Sequence, residues 1–179
     1  MKKFTIIFVA LLLMLTTTIT ARANNKIAIG GQFGFLASGI VVDIPLGPLA
    51  VQGGLNYPLG FRYINEVTED NEDFNDFLSA FFVVSADVTY PMSLGPNFDL
   101  KLGVSALGFT DFEVGMLGAA GVAIKGEYWS SEKNFGLFVN LNAPVILFAM
   151  SSEGIETITN PLLPLIGLVS STAGVLWRL

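Results

Sequence analysis

The chain contains no cysteine and no histidine. Without thiols there is no disulfide framework for an exported protein to rely on, and without imidazole there is no common general base and no ordinary zinc site. Histidine-dependent catalytic triads are excluded on the same ground. Charge is scarce too: 13% of the residues are charged, about half the share of an ordinary soluble domain, while 52% are hydrophobic. Basic residues are the rarer sign, nine against fifteen acidic, which makes nucleic acid an unsuitable partner. A chain so poor in charge does not read as a free globular protein, and with no covalent cross-links it must be held by its backbone ladder and its packing.

What is present begins with an export signal. Lys2 and Lys3 precede an apolar run over Phe4–Leu15, a Thr-rich stretch and then Ala21-Arg22-Ala23, the pattern of a secretory signal peptide ending in an A-x-A cleavage site. The reading is a signal peptide over 1–23 and a mature chain beginning near Asn24. Removing Lys2, Lys3 and Arg22 leaves six basic against fifteen acidic residues, a mature net charge of −9.

The most informative stretch is 49–63, LAVQGGLNYPLGFRY. Leu49, Val51, Leu55, Tyr57, Leu59, Phe61 and Tyr63 fall on one side, and Ala50, Gln52, Gly54, Asn56, Pro58, Gly60 and Arg62 on the other. A period of two puts these sets on opposite faces of a strand; a helical period would scatter them. The apolar face is continuous while the opposite face is small and polar. A tilted strand of about 9–11 residues crosses a bilayer with lipid on one face and a polar lumen on the other.

Seven further runs alternate in the same way: 26–35, 40–46, 80–91, 98–109, 114–128, 135–149 and 169–179. Their outward rows include Ile27, Ile29, Ile40, Val42, Val84, Val88, Leu102, Val104, Val122, Ile124, Leu137, Val139, Val175 and Trp177. Their inward rows carry Gln32, Asp43, Ser85, Asp87, Asp99, Lys101, Ser105, Lys125, Glu127, Asn140, Asn142, Thr172 and Arg178. Compact turns are expected at 37–39, 47–48, 92–97 and 129–134, and longer loops at 64–78 and 150–164. The sequences VVDIPLGPLAVQGGL and DVTYPMSLGPNFDLKLGV form a weak internal repeat around two Gly-Pro pairs. Pro45, Pro58, Pro91 and Pro144 all fall on inward positions, and each removes a ladder donor. Pro45 and Pro91 suit strand ends, whereas Pro58 and Pro144 require a strand break or a bulge.

These runs predict an all-β fold: a single eight-stranded antiparallel up-and-down transmembrane β-barrel over 24–179, following a cleaved signal peptide. Short turns on the side of the termini and longer loops opposite match the asymmetry of bacterial outer-membrane barrels, and closure removes every unpaired edge. Aromatic girdles are expected from Phe33, Phe35, Phe61, Tyr63 and Phe82 at the outer ends, and from Tyr90, Tyr128, Trp129 and Trp177 at the periplasmic ends.

In this topology the mature chain resembles the small eight-stranded outer-membrane barrels of the OmpA/OmpX type along essentially its whole length. Its last strand, with Ala173, Val175, Trp177 and Leu179 alternating, is similar to the assembly signal of that class, except that Leu179 replaces the usual terminal Phe. The resemblance implies the cell outer membrane as location, and lipid and the outer-membrane assembly machinery as partners. A monomer is expected. Barrel-borne lipases and acyltransferases of that class depend on histidine, so no enzymatic activity carries over, and no catalytic, cofactor-binding or metal residue is assigned.

The inward charges Asp43, Asp87, Asp99 and Glu127, with Lys101, Lys125 and Arg178, are expected to pack as salt bridges and plug a lumen only wide enough for side chains. The six carboxylates between Glu66 and Asp76 lack the glycine and spacing of an EF-hand, and read as a solvated loop. The function expected is a non-enzymatic barrel with a structural or surface-interaction role. The alternative is a barrel, exported or membrane-bound, that carries a small hydrophobic ligand.

Overall fold

The computed structural model describes residues 26–60, 63, 81–110, 115–130, 132, 134–151, 154–160 and 163–179, with 165, 166 and 168 described by their backbone alone. The segment 1–23 expected as a signal peptide, the acidic loop expected at 64–78, and Phe61 and Arg62 lie outside the described residues.

Nine strands follow in order: β1 (Ala28–Gly34), β2 (Ser38–Leu46), β3 (Leu49–Tyr57), β4 (Phe82–Ser93), β5 (Phe98–Thr110), β6 (Gly115–Trp129), β7 (Phe135–Ser151), β8 (Gly154–Ile158) and β9 (Thr172–Arg178). Strands β1 to β7 each pair antiparallel with the next in sequence, and β9 bridges β7 and β1. The result is a closed eight-stranded up-and-down barrel. Strand β8 stands outside the count, pairing with Leu147–Ser151 at the far end of β7.

Two of the strands expected from alternation end differently. The third stops at Tyr57 instead of running to Tyr63. Pro58 is fully buried there and the chain leaves the sheet, with the Gly60 amide donating to the Phe35 carbonyl at 2.9 Å. Proline removes a ladder donor, and the described residues just beyond it, Leu59 and Gly60, are helical, so the alternation there does not continue the strand. The last strand starts at Thr172 rather than 169, because a 3₁₀ turn (Leu163–Ile166) and a helical turn (Gly167–Ser170) precede it. The stretch 150–164, expected as loop, holds the end of β7 and all of β8.

Pro144 produces the expected bulge. Ala120 pairs with Ile146 while Gly121 pairs with Pro144, so Val145 is the extra residue. Gly121 is required at this point, since a Cβ on it would lie 2.1 Å from the Ala143 carbonyl oxygen. Pro45 and Pro91 sit close to the ends of β2 and β4.

The hairpins on the side of the termini are compact. Leu46 pairs with Leu49 across Gly47-Pro48, and Gly47 has a φ of 62°. A left-handed glycine followed by proline, whose ring holds φ near about −65°, suits a primed two-residue hairpin turn. The second Gly-Pro pair serves the β4–β5 hairpin, closed by Leu94 N–H donating to Phe98 O at 2.9 Å. The expected turn at 37–39 lies slightly earlier, because Ser38 already belongs to β2 and its hydroxyl both donates to Gly34 O and accepts from Gly34 N.

The face assignment follows the pleat. Leu55, Val104 and Phe33 are exposed at 53%, 59% and 70%, whereas Gln52, Asn56 and Lys101 are buried. Cross-strand pairs such as Val104 with Val122 and Leu102 with Ile124 build a continuous apolar exterior. Girdle positions are mixed. Phe33, Tyr63, Phe82, Tyr128 and Trp177 are exposed, but Phe35 packs partly buried against Leu36, Ala37, Val83 and Leu107. Trp129 is a clear departure: it shares the inward parity of Lys125 and Glu127 and is buried with Ala28, Val41, Phe138 and Leu176.

Candidate functional site: the barrel lumen

The half of the lumen nearer the termini is filled by a network that the inward positions of four strands create. Asp43 comes from β2, Gln52 from β3, Lys101 from β5, Lys125 and Glu127 from β6. Lys101 Nζ lies 2.5 Å from Asp43 Oδ2 and 2.7 Å from Glu127 Oε1. Lys125 Nζ lies 2.7 Å from the same Glu127 oxygen and 3.6 Å from Asp43 Oδ2, and it also donates to Gln52 Oε1. Two ammonium groups thus alternate with two carboxylates, and both lysines stand beside Glu127.

Burial makes that geometry matter. Lys125 and Glu127 are each 1% exposed, and a buried ion is tolerated only where opposite charge and hydrogen bonds replace water. The remaining contacts supply this. The Phe138 ring lies 4.5 Å from Lys125 Nζ, so the ammonium meets the negative face of an aromatic. Trp129 Nε1 donates to Glu127 Oε2 at 3.2 Å, and the Arg178 guanidinium lies over the Trp129 ring at 3.4 Å. Trp129 and Arg178 therefore form a lid between the ion cluster and the terminal mouth.

Asp87, from β4, is held by an amide: Asn140 Nδ2 donates to its Oδ2 at 2.8 Å. Beyond it a neutral chain crosses the lumen. Thr172 donates to Gln32 Oε1, Gln32 Nε2 donates to Asn56 Oδ1 at 2.8 Å, and Asn56 Nδ2 donates to Val83 O and Ser85 Oγ. Of the seven charges expected to share the lumen, Asp43, Lys101, Lys125 and Glu127 form one cluster and Asp87 adjoins through Asn140. Asp99 and Arg178 stand half-buried at the mouth, lining a small recess of about 40 Å³ beneath the Gly47 turn.

Sequence reasoning missed the apolar share of this interior. Val41, Phe138 and Leu176 are inward and almost fully buried, and their parity alone would have found them. It also missed the opposite half. There the inward positions of β5, β6 and β7 surround an apolar cavity of about 190 Å³, with Leu107, Phe109, Ala119, Pro144 and Leu147 in its wall. Ser105 and Asn142, both expected on inward positions, line this cavity.

Among the described residues no group of three or more acidic side chains is arranged to hold a metal ion. Each cluster carboxylate, Asp43 and Glu127, is paired with lysine. The arrangement is suited to closing a lumen. The chain matches no family model, no curated protein and no solved structure.

Proposed function

We propose that this chain is a non-enzymatic outer-membrane β-barrel protein with a structural or surface-interaction role, whose lumen is kept shut by its own charged side chains. The observation that carries the reading is the pairing of two features in one closed wall. The exterior is a belt of Leu, Ile, Val and aromatic side chains, and the interior holds a compensated ion cluster. In water a belt of this extent is an aggregation liability. In a bilayer it is matched by lipid, and closure through β9 pairs the edges of β1 and of the first part of β7.

The direction of the apolar rows favours this over a soluble lipocalin-like carrier. Such a carrier would turn Leu49 and Leu55 inward and leave Gln52 and Asn56 wet, whereas here the leucines are exposed and the amides buried. The proposed affiliation is with small barrels of the OmpA/OmpX type. Lipid surrounds the wall, and the termini and compact turns face the periplasm. The assembly machinery engages the alternating row Ala173, Val175, Trp177 and Leu179 on the strand that closes the barrel.

Cell fractionation with heat-modifiable electrophoresis tests it. The protein is expected in the outer-membrane fraction and, unboiled, at a different apparent mass from the boiled sample. Recovery in the soluble periplasm, with identical migration before and after boiling, would overturn the proposal.

A further inference from the structure

The cavity in the far half of the lumen is not used by the plug. It lies against the inward positions of three adjacent strands, where Ala119 and Gly121 of β6 sit between their register partners, Leu107 on β5 and Leu147 and Pro144 on β7, with Phe109 next along β5. Small residues flanked by larger ones leave a hollow in the wall. At about 190 Å³ it exceeds the roughly 150 Å³ at which an apolar cavity already binds benzene.

Its polar rim is sparse and specific. Asn142 Nδ2 donates to Ser170 O at 2.9 Å, which stitches β7 to the turn before β9, and the Asn142 backbone amide reaches Ser171 Oγ at 3.4 Å. The amide oxygen Oδ1 of the same side chain is buried and has no hydrogen-bond partner among the described residues. A buried acceptor left unpaired is destabilising, and a donor arriving with a ligand removes that cost.

We propose that this cavity is a binding site for a small neutral molecule with an apolar body and a single hydroxyl, about the size of a cresol, whose hydroxyl donates to Asn142 Oδ1. The apolar body packs against Leu107, Phe109 and Leu147. Among the described residues the wall carries no charge, so an ion brought there would be desolvated without a counter-charge from them and a neutral ligand is favoured. The site is independent of the phase outside the barrel, so its failure leaves the membrane reading standing.

The test is equilibrium dialysis of p-cresol and p-xylene, two molecules of nearly equal shape, against refolded protein in detergent micelles, with empty micelles as the blank. Methyl NMR shifts at Leu107 and Ala119 locate the ligand. Saturable uptake of p-cresol above the blank is expected, with shifts confined to the cavity. Ala119→Phe fills the space, leaves heat-modifiable migration intact and abolishes uptake of both compounds. Asn142→Leu weakens p-cresol about tenfold, as expected for one hydrogen bond, and changes p-xylene less than twofold. Uptake no greater than that of empty micelles, or uptake undiminished in Ala119→Phe, would overturn the site. An equal effect of Asn142→Leu on both compounds would overturn the assignment of the hydroxyl.

Discussion

Toward the termini, Lys101 and Lys125 sit between Asp43 and Glu127 beneath the Trp129 ring, whereas at the far end the inward positions of the same strands are Leu107, Phe109, Ala119 and Leu147 around open space. One sheet with one pleat thus carries two interiors. The difference lies in which inward residues each strand presents above and below its middle. In β5 the inward row runs Asp99, Lys101, Gly103, Ser105, Leu107, Phe109, changing from charged to apolar along a single strand. The ionic half specifies register, because a slip of one residue would bury apolar side chains among charges and turn lysines outward. The apolar half carries no such constraint and is left loosely filled.

Breaking the ionic half should have the largest effect. Lys101→Ala leaves Asp43 with only the more distant Lys125 and removes one of the two lysines from Glu127, so a destabilisation of about 3–5 kcal/mol is expected, read by urea unfolding in liposomes. Next comes the exposed apolar face, which the proposed membrane setting turns to lipid. Val104→Arg and Val122→Arg, at paired exposed positions, should each cost about 2–4 kcal/mol. Ser105→Arg points into the lumen and should perturb packing there instead. Identical behaviour of all three in refolding would contradict the assignment of faces.

A matched pair sharpens the contrast between halves. Ala123 is fully buried in the ionic half, so Ala123→Leu should overpack it and cost about 1–3 kcal/mol. Ala119→Leu, four residues away on the same strand face, enters the cavity and should change stability by less than about 0.5 kcal/mol or increase it. Equal costs measured by the same unfolding assay would mean that the two halves are packed alike.

Much of this was legible beforehand, for a physical reason. Alternation reports which face a residue occupies, so Asp43, Asp87, Lys101, Lys125, Glu127 and Asn140 were placed inward by parity alone. The bulge at Pro144 and the break at Pro58 follow from the missing N–H. Alternation does not report where a strand leaves its partners. Tyr63 and Leu59 keep the right spacing after the ladder has ended, and β8 gained a strand partner only because β7 extends past β9. Trp129 was assigned to a girdle by residue type, against its own parity. The cavity depends on which residues the register sets beside Ala119 on β5 and β7, which no single strand encodes.

The central claim is that the ion cluster shuts the lumen, and single-channel recording in planar bilayers tests it most directly. Refolded wild type should show no steady conductance steps, and steps should appear only in variants that remove several of Asp43, Lys101, Lys125 and Glu127 together. Reproducible unitary conductance from the wild type would contradict the account.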